Sequence, residues 1–273
     1  MRLMLYTNRR AGSHFLANWI ISNILGETYF KRGAPSTSGG WFHVHGMCGL
    51  NQFARRHKID PRGMTLDQLP EHVFVTMEDA PISYARPADW MRPARGAVTG
   101  CSNARPPIPP HNLLQRYQDD ATKLILLRDP INVMASTIAN NGAFTSIERC
   151  ARVFMDYAHV IASGQAEEKQ YTVVRYEELA TSREYRDTLA TNLGFTNQDI
   201  AVEAVPHHGG GSSFDGLAMD GNASAMDTNE RWKTFLDNPT YLWSLGFPGF
   251  LEAREALYGP LPTPLAERVG TTR

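Results

Sequence analysis

Two short runs hold the residues best suited to meeting an anion. In YTNRRAGSHFLANWI, residues 6–20, Arg9 and Arg10 precede Ala11, Gly12, Ser13, His14 and Phe15. A glycine turn leading into a helix start offers unpaired backbone N–H groups and the positive end of a helix dipole. Ser13 adds a hydroxyl there and Arg10 a forked cation; the bland alternative is a tight turn with two solvated arginines. The G-K-[ST] lysine of a Walker A loop is absent. In LILLRDPINVMAS, residues 124–136, Ser136 follows Arg128 by eight positions. An arginine ending a buried strand faces the crevice in which open α/β sheets bind ligands, and Ser136, two helical turns on, can share its anion. An Arg128–Asp129 surface pair is the competing reading. Proton acceptors are sought among His43 and His45 in WFHVHGM, His111 in PPHNLL, and the carboxylates Glu27, Glu78 and Asp79. Two histidines at i, i+2 in an extended chain point the same way.

The elements that must position these groups follow from apolar patterning. LMLYT (3–7), HVFVTM (72–77), GAVTGC (96–101), TKLILLR (122–128) and QYTVVRY (170–176) read as strands, the fourth most strongly. Phe15, Leu16, Trp19, Ile20 and Ile24 share one face of a helix that Gly26 can end. A helix over 131–140 follows Asp129-Pro130. Ile147, Cys150, Ala151, Phe154, Tyr157, Ala158 and Ile161 define an amphipathic helix, and further helices are expected over 176–194, around Trp232 and over 250–258. GLNQFARRH reads as a short helix. KRGAPSTSGG (31–40), ARPPIPPHN (104–112) and the Gly/Ser-rich 207–227 read as loops. Strands alternating with helices imply a three-layer α/β/α domain with a mostly parallel central sheet, spanning 1–260 and followed by a frayed Pro-rich tail over 261–273.

The two anion-binding runs resemble the paired motifs of sulfotransferases that use 3′-phosphoadenosine 5′-phosphosulfate (PAPS). RRAGSHF resembles the 5′-phosphosulfate loop often written P-K-S-G-T-T-W, and more closely the R-S-G-S variants of bacterial and carbohydrate enzymes. LLRDPINVMAS resembles the 3′-phosphate motif, with the same arginine–serine spacing. VVRYEELATSREYRDTLATNLGF (173–195) is similar to the Y-E-D-L segment, and NERWKTFL (229–236) more weakly to the W-K or W-R segment after the late flexible loop. The four pieces cover about a quarter of the chain, in the family's order. The resemblance implies a P-loop-like sulfotransferase fold and PAPS as co-substrate, with adenosine 3′,5′-bisphosphate as product and no metal. It places Arg10, Ala11, Gly12, Ser13 and His14 around the 5′-phosphosulfate, Phe15 and Tyr176 against the adenine, and Arg128 and Ser136 on the 3′-phosphate. Gly210 to Ser213, or Arg231 and Lys233, would close over the 3′ side.

Arg10 stands where many members have lysine, and an arginine, being permanently protonated, acts on the bridging oxygen by charge and not by donating a proton. The K-T-H strand end that supplies a base in cytosolic members is replaced here by VTGCSNARPP. His45 and His111 are the favoured substitutes, and some members use a glutamate. The acceptor would be a hydroxyl or amine of a small molecule, sugar or peptide. Two other readings stay open: a nucleotide kinase with a degenerate phosphate loop, and a sulfotransferase-like fold that binds nucleotide or a partner without catalysis.

Composition narrows the classes further. Over 273 residues the chain is 42% hydrophobic and 20% charged, with a net charge of −1, which describes a globular core and no field for nucleic acid or membrane surfaces. Cys48, Cys101 and Cys150 form no C-x-x-C pair and read as reduced thiols. No run approaches the roughly 18 apolar residues of a membrane span, and RLMLYT leaves no room for a signal peptide, so a cytoplasmic protein is expected. No feature of the sequence specifies an oligomeric state.

Overall fold

The computed structural model describes residues 1–30, 41–45, 57–60, 65–82, 111–140, 144–207 and 211–272; of 111–115, 144–145 and 271–272 it describes the backbone alone. Five strands form one parallel sheet: β1 (Arg2–Thr7), β2 (Trp41–His45), β3 (His72–Glu78), β4 (Thr122–Leu127) and β5 (Tyr171–Arg175), in the order β2-β3-β1-β4-β5. The expected three-layer α/β class is therefore the observed one. Register sets Thr7 beside Glu78 and Leu126, His45 beside Thr76, and Leu127 beside Arg175. All five carboxyl ends thus lie along one edge.

The period-two alternation of strand side chains divides the core into two layers. Leu3, Leu5, Phe74, Leu124, Leu126 and Val174 face α1 (Ser13–Leu25) and the later helices α6 (Tyr176–Thr181) and α7 (Arg183–Leu193). Met4, Tyr6, Val73, Val75, Ile125 and Leu127 face the opposite layer, which holds α2 (His111–Asp120), α4 (Phe144–Ala162) and α5 (Gln165–Glu168). Strands buried on both faces read as continuous apolar runs, which explains why TKLILL gave so clear a signal. A third cluster joins α3 (Pro130–Ala139) and α4 to α8 (Pro239–Leu245), α9 (Phe250–Tyr258) and α10 (Thr263–Thr272).

The tail expected to fray is α10, with Leu265 and Val269 buried one helical turn apart in that third cluster. The helical stretch expected over 176–194 is two helices, broken at Ser182, whose hydroxyl accepts from the Tyr185 amide and caps α7. The expected loop at 31–40, helix at 49–57, strand at 96–101 and most of the proline-rich 104–112 lie largely or wholly outside the described residues. Among the described residues no helix is long and apolar enough to cross a membrane.

Candidate functional site

Every strand ends in a group capable of chemistry. β1 opens into the loop Asn8–Gly12, β2 ends at His45, β3 at Glu78, β4 runs into Arg128 and β5 into Tyr176. The pleat sorts them: Thr7, His45 and Glu78 continue the parity of Leu5, His43 and Thr76, so they sit on the α1 side.

The β1–α1 loop is tightly tied. The Asp79 amide donates to the Thr7 carbonyl (2.8 Å), and the buried Asp79 carboxylate accepts from the Arg9 amide (2.8 Å) and Arg9 Nε (2.6 Å). On the opposite layer, Asn8 Nδ2 donates to the Cys150 carbonyl at 2.8 Å. Burial pushes the Cys150 thiol up to about 12, as suits an inert reduced cysteine. Arg10 and Gly12 both adopt left-handed backbone, at φ 66° and 99°. Gly12 is obligatory on a second count, because a Cβ there would stand 2.5 Å from the Tyr176 ring. Among the described residues no side chain caps the start of α1, so its first-turn amides face the loop without a capping acceptor there.

At the first turn of α1 the side chains turn toward β2 and β3. Ser13 Oγ donates to Glu78 Oε1 at 2.8 Å. His14 Nε2 and His45 Nε2 are 2.9 Å apart, and His45 Nδ1 lies 3.9 Å from the same Glu78 oxygen. His43, on the same face of β2, is buried and meets Thr76 Oγ1 at 3.1 Å. Ser13, His14, His45 and Glu78 therefore form one partly exposed cluster beside the loop.

The other side of the loop belongs to arginines. Arg128 is 4% exposed; its Nη1 donates to the Arg10 carbonyl (3.0 Å) and its Nη2 to the Thr228 carbonyl. Its guanidinium lies 4.6 Å over the Tyr176 ring, and its buried Nε finds no partner among the described residues. Arg231 approaches from the short turn Arg231–Phe235, donating to Ser136 Oγ (3.4 Å) and Ser212 Oγ (2.8 Å) and pairing with Asp215 (3.3 Å). Phe214 covers it, with the guanidinium 4.5 Å from the ring centre. Burial, reinforced by the charge of Arg128, pushes the Arg231 guanidinium down to about 10.

The structure brings Arg10, Gly12, Ser13, His14, Phe15, Arg128, Ser136, Tyr176 and His45 to one edge, with several changes of role. Ala11 is buried in the third cluster and its amide already donates to the Asn8 carbonyl (3.2 Å), so it offers no side chain to a ligand. His14 turns to His45. Tyr176 is a floor, held between Gly12, the edge of Phe15 (5.9 Å) and Arg128. His111 opens α2, but its side chain lies outside the described residues, as do Gly210, Cys48 and Cys101. Arg128 does not pair with Asp129: that carboxylate caps α3 through the Ile131 amide and holds Arg254 at 2.7 Å. Of the two late cations, Arg231 is at the site, whereas Lys233 pairs with Glu230 on the surface. Sequence reasoning singled out neither Asp215 nor the Ser13–Glu78 bond; only the parity of β3 relative to α1 would have suggested the latter. Among the described residues no group of three or more His, Cys, Asp or Glu is placed to hold a metal ion. Comparison of the chain with protein-family models and with curated proteins returned no match.

Proposed function

We propose that the chain binds a 3′-phosphorylated adenine nucleotide and transfers the sulfuryl group of 3′-phosphoadenosine 5′-phosphosulfate to a hydroxyl or amine. The observation that carries this reading is the bond from Arg128 to the Arg10 carbonyl, which joins a helix-start anion loop to a second basic pocket of Arg128, Arg231 and Ser136. Two anion sites sharing one arginine suit a ligand with phosphates at both ends of a nucleoside. Arg128, with a buried Nε–H in want of an acceptor, fits such a group.

In the transfer, an acceptor oxygen or nitrogen attacks sulfur while the sulfur–oxygen bond to the 5′-phosphate breaks, its electron pair staying on the phosphate. The protein's part in such in-line displacements is positioning and charge stabilisation. First-turn amides of α1 and the Arg10 guanidinium, which has no ion-pair partner among the described residues, serve the charge that develops on the leaving oxygen. Calorimetric titration with adenosine 3′,5′-bisphosphate and with AMP tests the reading. At least tenfold tighter binding of the bisphosphate is expected; equal affinities would refute the second anion site.

A further inference from the structure

We propose that His14 and His45 work as one proton-accepting unit for the acceptor, with His14 positioning His45 and not binding phosphate. The inference rests on the sulfuryl-transfer reading above. A hydrogen bond between two imidazole nitrogens needs one N–H and one lone pair. At 2.9 Å the two Nε2 atoms therefore hold a single proton between them, whichever tautomer is drawn. The rings meet edge to face, with centroids 4.8 Å apart.

The surroundings decide where an added charge rests. His14 occupies the first turn of α1, where the helix dipole opposes further positive charge. His45 has Glu78 3.9 Å from its Nδ1, and a carboxylate favours the cation. Glu78 itself accepts the Ser13 hydroxyl, and Asp79, the next carboxylate, is engaged by Arg9. His43 is 4.9 Å from the His45 ring but is buried against Thr76 and Phe74. His45 has a third of its side chain exposed, whereas His43 is buried.

As the acceptor's O–H or N–H bond breaks and its oxygen or nitrogen bonds to sulfur, the proton goes to the lone pair of His45 Nδ1, in the tautomer in which His45 Nε2–H donates to His14 Nε2, and the electron pair of the broken S–O bond stays on the nucleotide's 5′-phosphate. The pair then carries one positive charge, on His45 and facing Glu78. His14 keeps the ring oriented by accepting the His45 Nε2–H.

The test uses the full chain with His14→Asn, His45→Gln and the double variant. Affinity for adenosine 3′,5′-bisphosphate, by calorimetry, is expected to stay within about threefold for each. Release of sulfate from PAPS, with water as acceptor, is expected to fall about a hundredfold or more. Because the rings act together, the double variant should be no slower than the slower single one. A tenfold loss of nucleotide affinity in His14→Asn would make His14 a phosphate ligand and overturn the proposal. Multiplicative losses in the double variant, or undiminished turnover in either single one, would do so too. Wild-type protein that fails to bind the bisphosphate refutes the nucleotide reading itself, and wild type that binds it yet never releases sulfate refutes the transfer step. Normal wild-type behaviour with unaffected variants counts against the histidine pair alone.

Discussion

Two guanidinium groups, Arg128 and Arg231, are buried close enough that each opposes the charge of the other. A phosphate between them would relieve that repulsion. Arg231→Met and Ser136→Ala are therefore expected to weaken adenosine 3′,5′-bisphosphate more than AMP. Hydrogen bonds to charged groups contribute roughly 1.5–3 kcal/mol, so a tenfold to hundredfold loss is expected for the arginine and a smaller one for the serine. Lys233→Met, which removes the exposed Glu230 pair and a distant contact over the Trp232 ring, should leave both affinities unchanged. Equal losses for both nucleotides would move Arg231 out of a 3′ subsite. Gly12 makes a second prediction at this scale. An alanine there meets the Tyr176 ring and a φ of 99°, costing at least about 1–2 kcal/mol for the backbone alone. Gly12→Ala should lower Tm and, by tilting Tyr176, loosen Arg128; a variant as stable as wild type would show that neither the backbone nor the ring resists a Cβ there.

At the level of elements, what could be read from the sequence was the part written locally. LILL (124–127) and VFV (73–75) are unbroken apolar runs, and Gly12 and Gly26 bracket α1 as their φ values require. Arg128 and Ser136 were legible because strand end and helix are continuous in sequence. Contacts across long separations were not: Arg254 reaches Asp129 over 125 positions, and His14 meets His45 only because β2 lies two strands from β1. The α10 helix was missed because its prolines suggested a tail, while Leu265 and Val269 gain meaning only from the cluster they enter. The β5–α6 junction yields a prediction with a pH signature. Glu177 Oε1 accepts from the Asp129 amide at 2.7 Å, whereas its Oε2 is buried with no partner among the described residues. Burial, only partly offset by that amide and by Arg128, raises its pKa. A raised carboxyl favours the folded state below its unfolded pKa and loses that advantage as pH rises through the folded value. Glu177→Gln keeps the bond at Oε1 and removes the charge. Its Tm should exceed that of wild type at neutral pH, and the gap should close toward pH 4. A gap that widened on acidification would mean that Arg128 dominates and the carboxylate is net stabilising.

On the scale of the whole molecule, the proposed anion-binding edge is supported by two different bodies of structure. The sheet and α1 hold the β1–α1 loop and the histidine pair, while the third cluster holds the Arg231 turn through α3: Asn132 Nδ2 donates to the Asn229 carbonyl (2.9 Å), and its Oδ1 accepts from the Trp232 amide. Trp232 is buried in that cluster together with Tyr241, Phe250 and Leu265. Helix α10 thus lies in the cluster behind Trp232, which the β1–α1 loop enters only at Ala11. Leu265→Ala removes a fully buried side chain and should cost about 2–5 kcal/mol, the range for leucine truncation in a packed core. Chemical denaturation measures that loss. Any accompanying change in nucleotide binding should fall on adenosine 3′,5′-bisphosphate before AMP, because the neighbour of Arg231, Trp232, packs a whole ring into the cluster, whereas the β1–α1 loop contributes only Ala11. Val269→Ala, one turn further along the same face, should show the same pattern more weakly. A leucine variant that loses several kcal/mol yet binds both nucleotides as wild type does would show that the Arg231 turn is held by its own hydrogen bonds to α3, independent of the helical packing behind it.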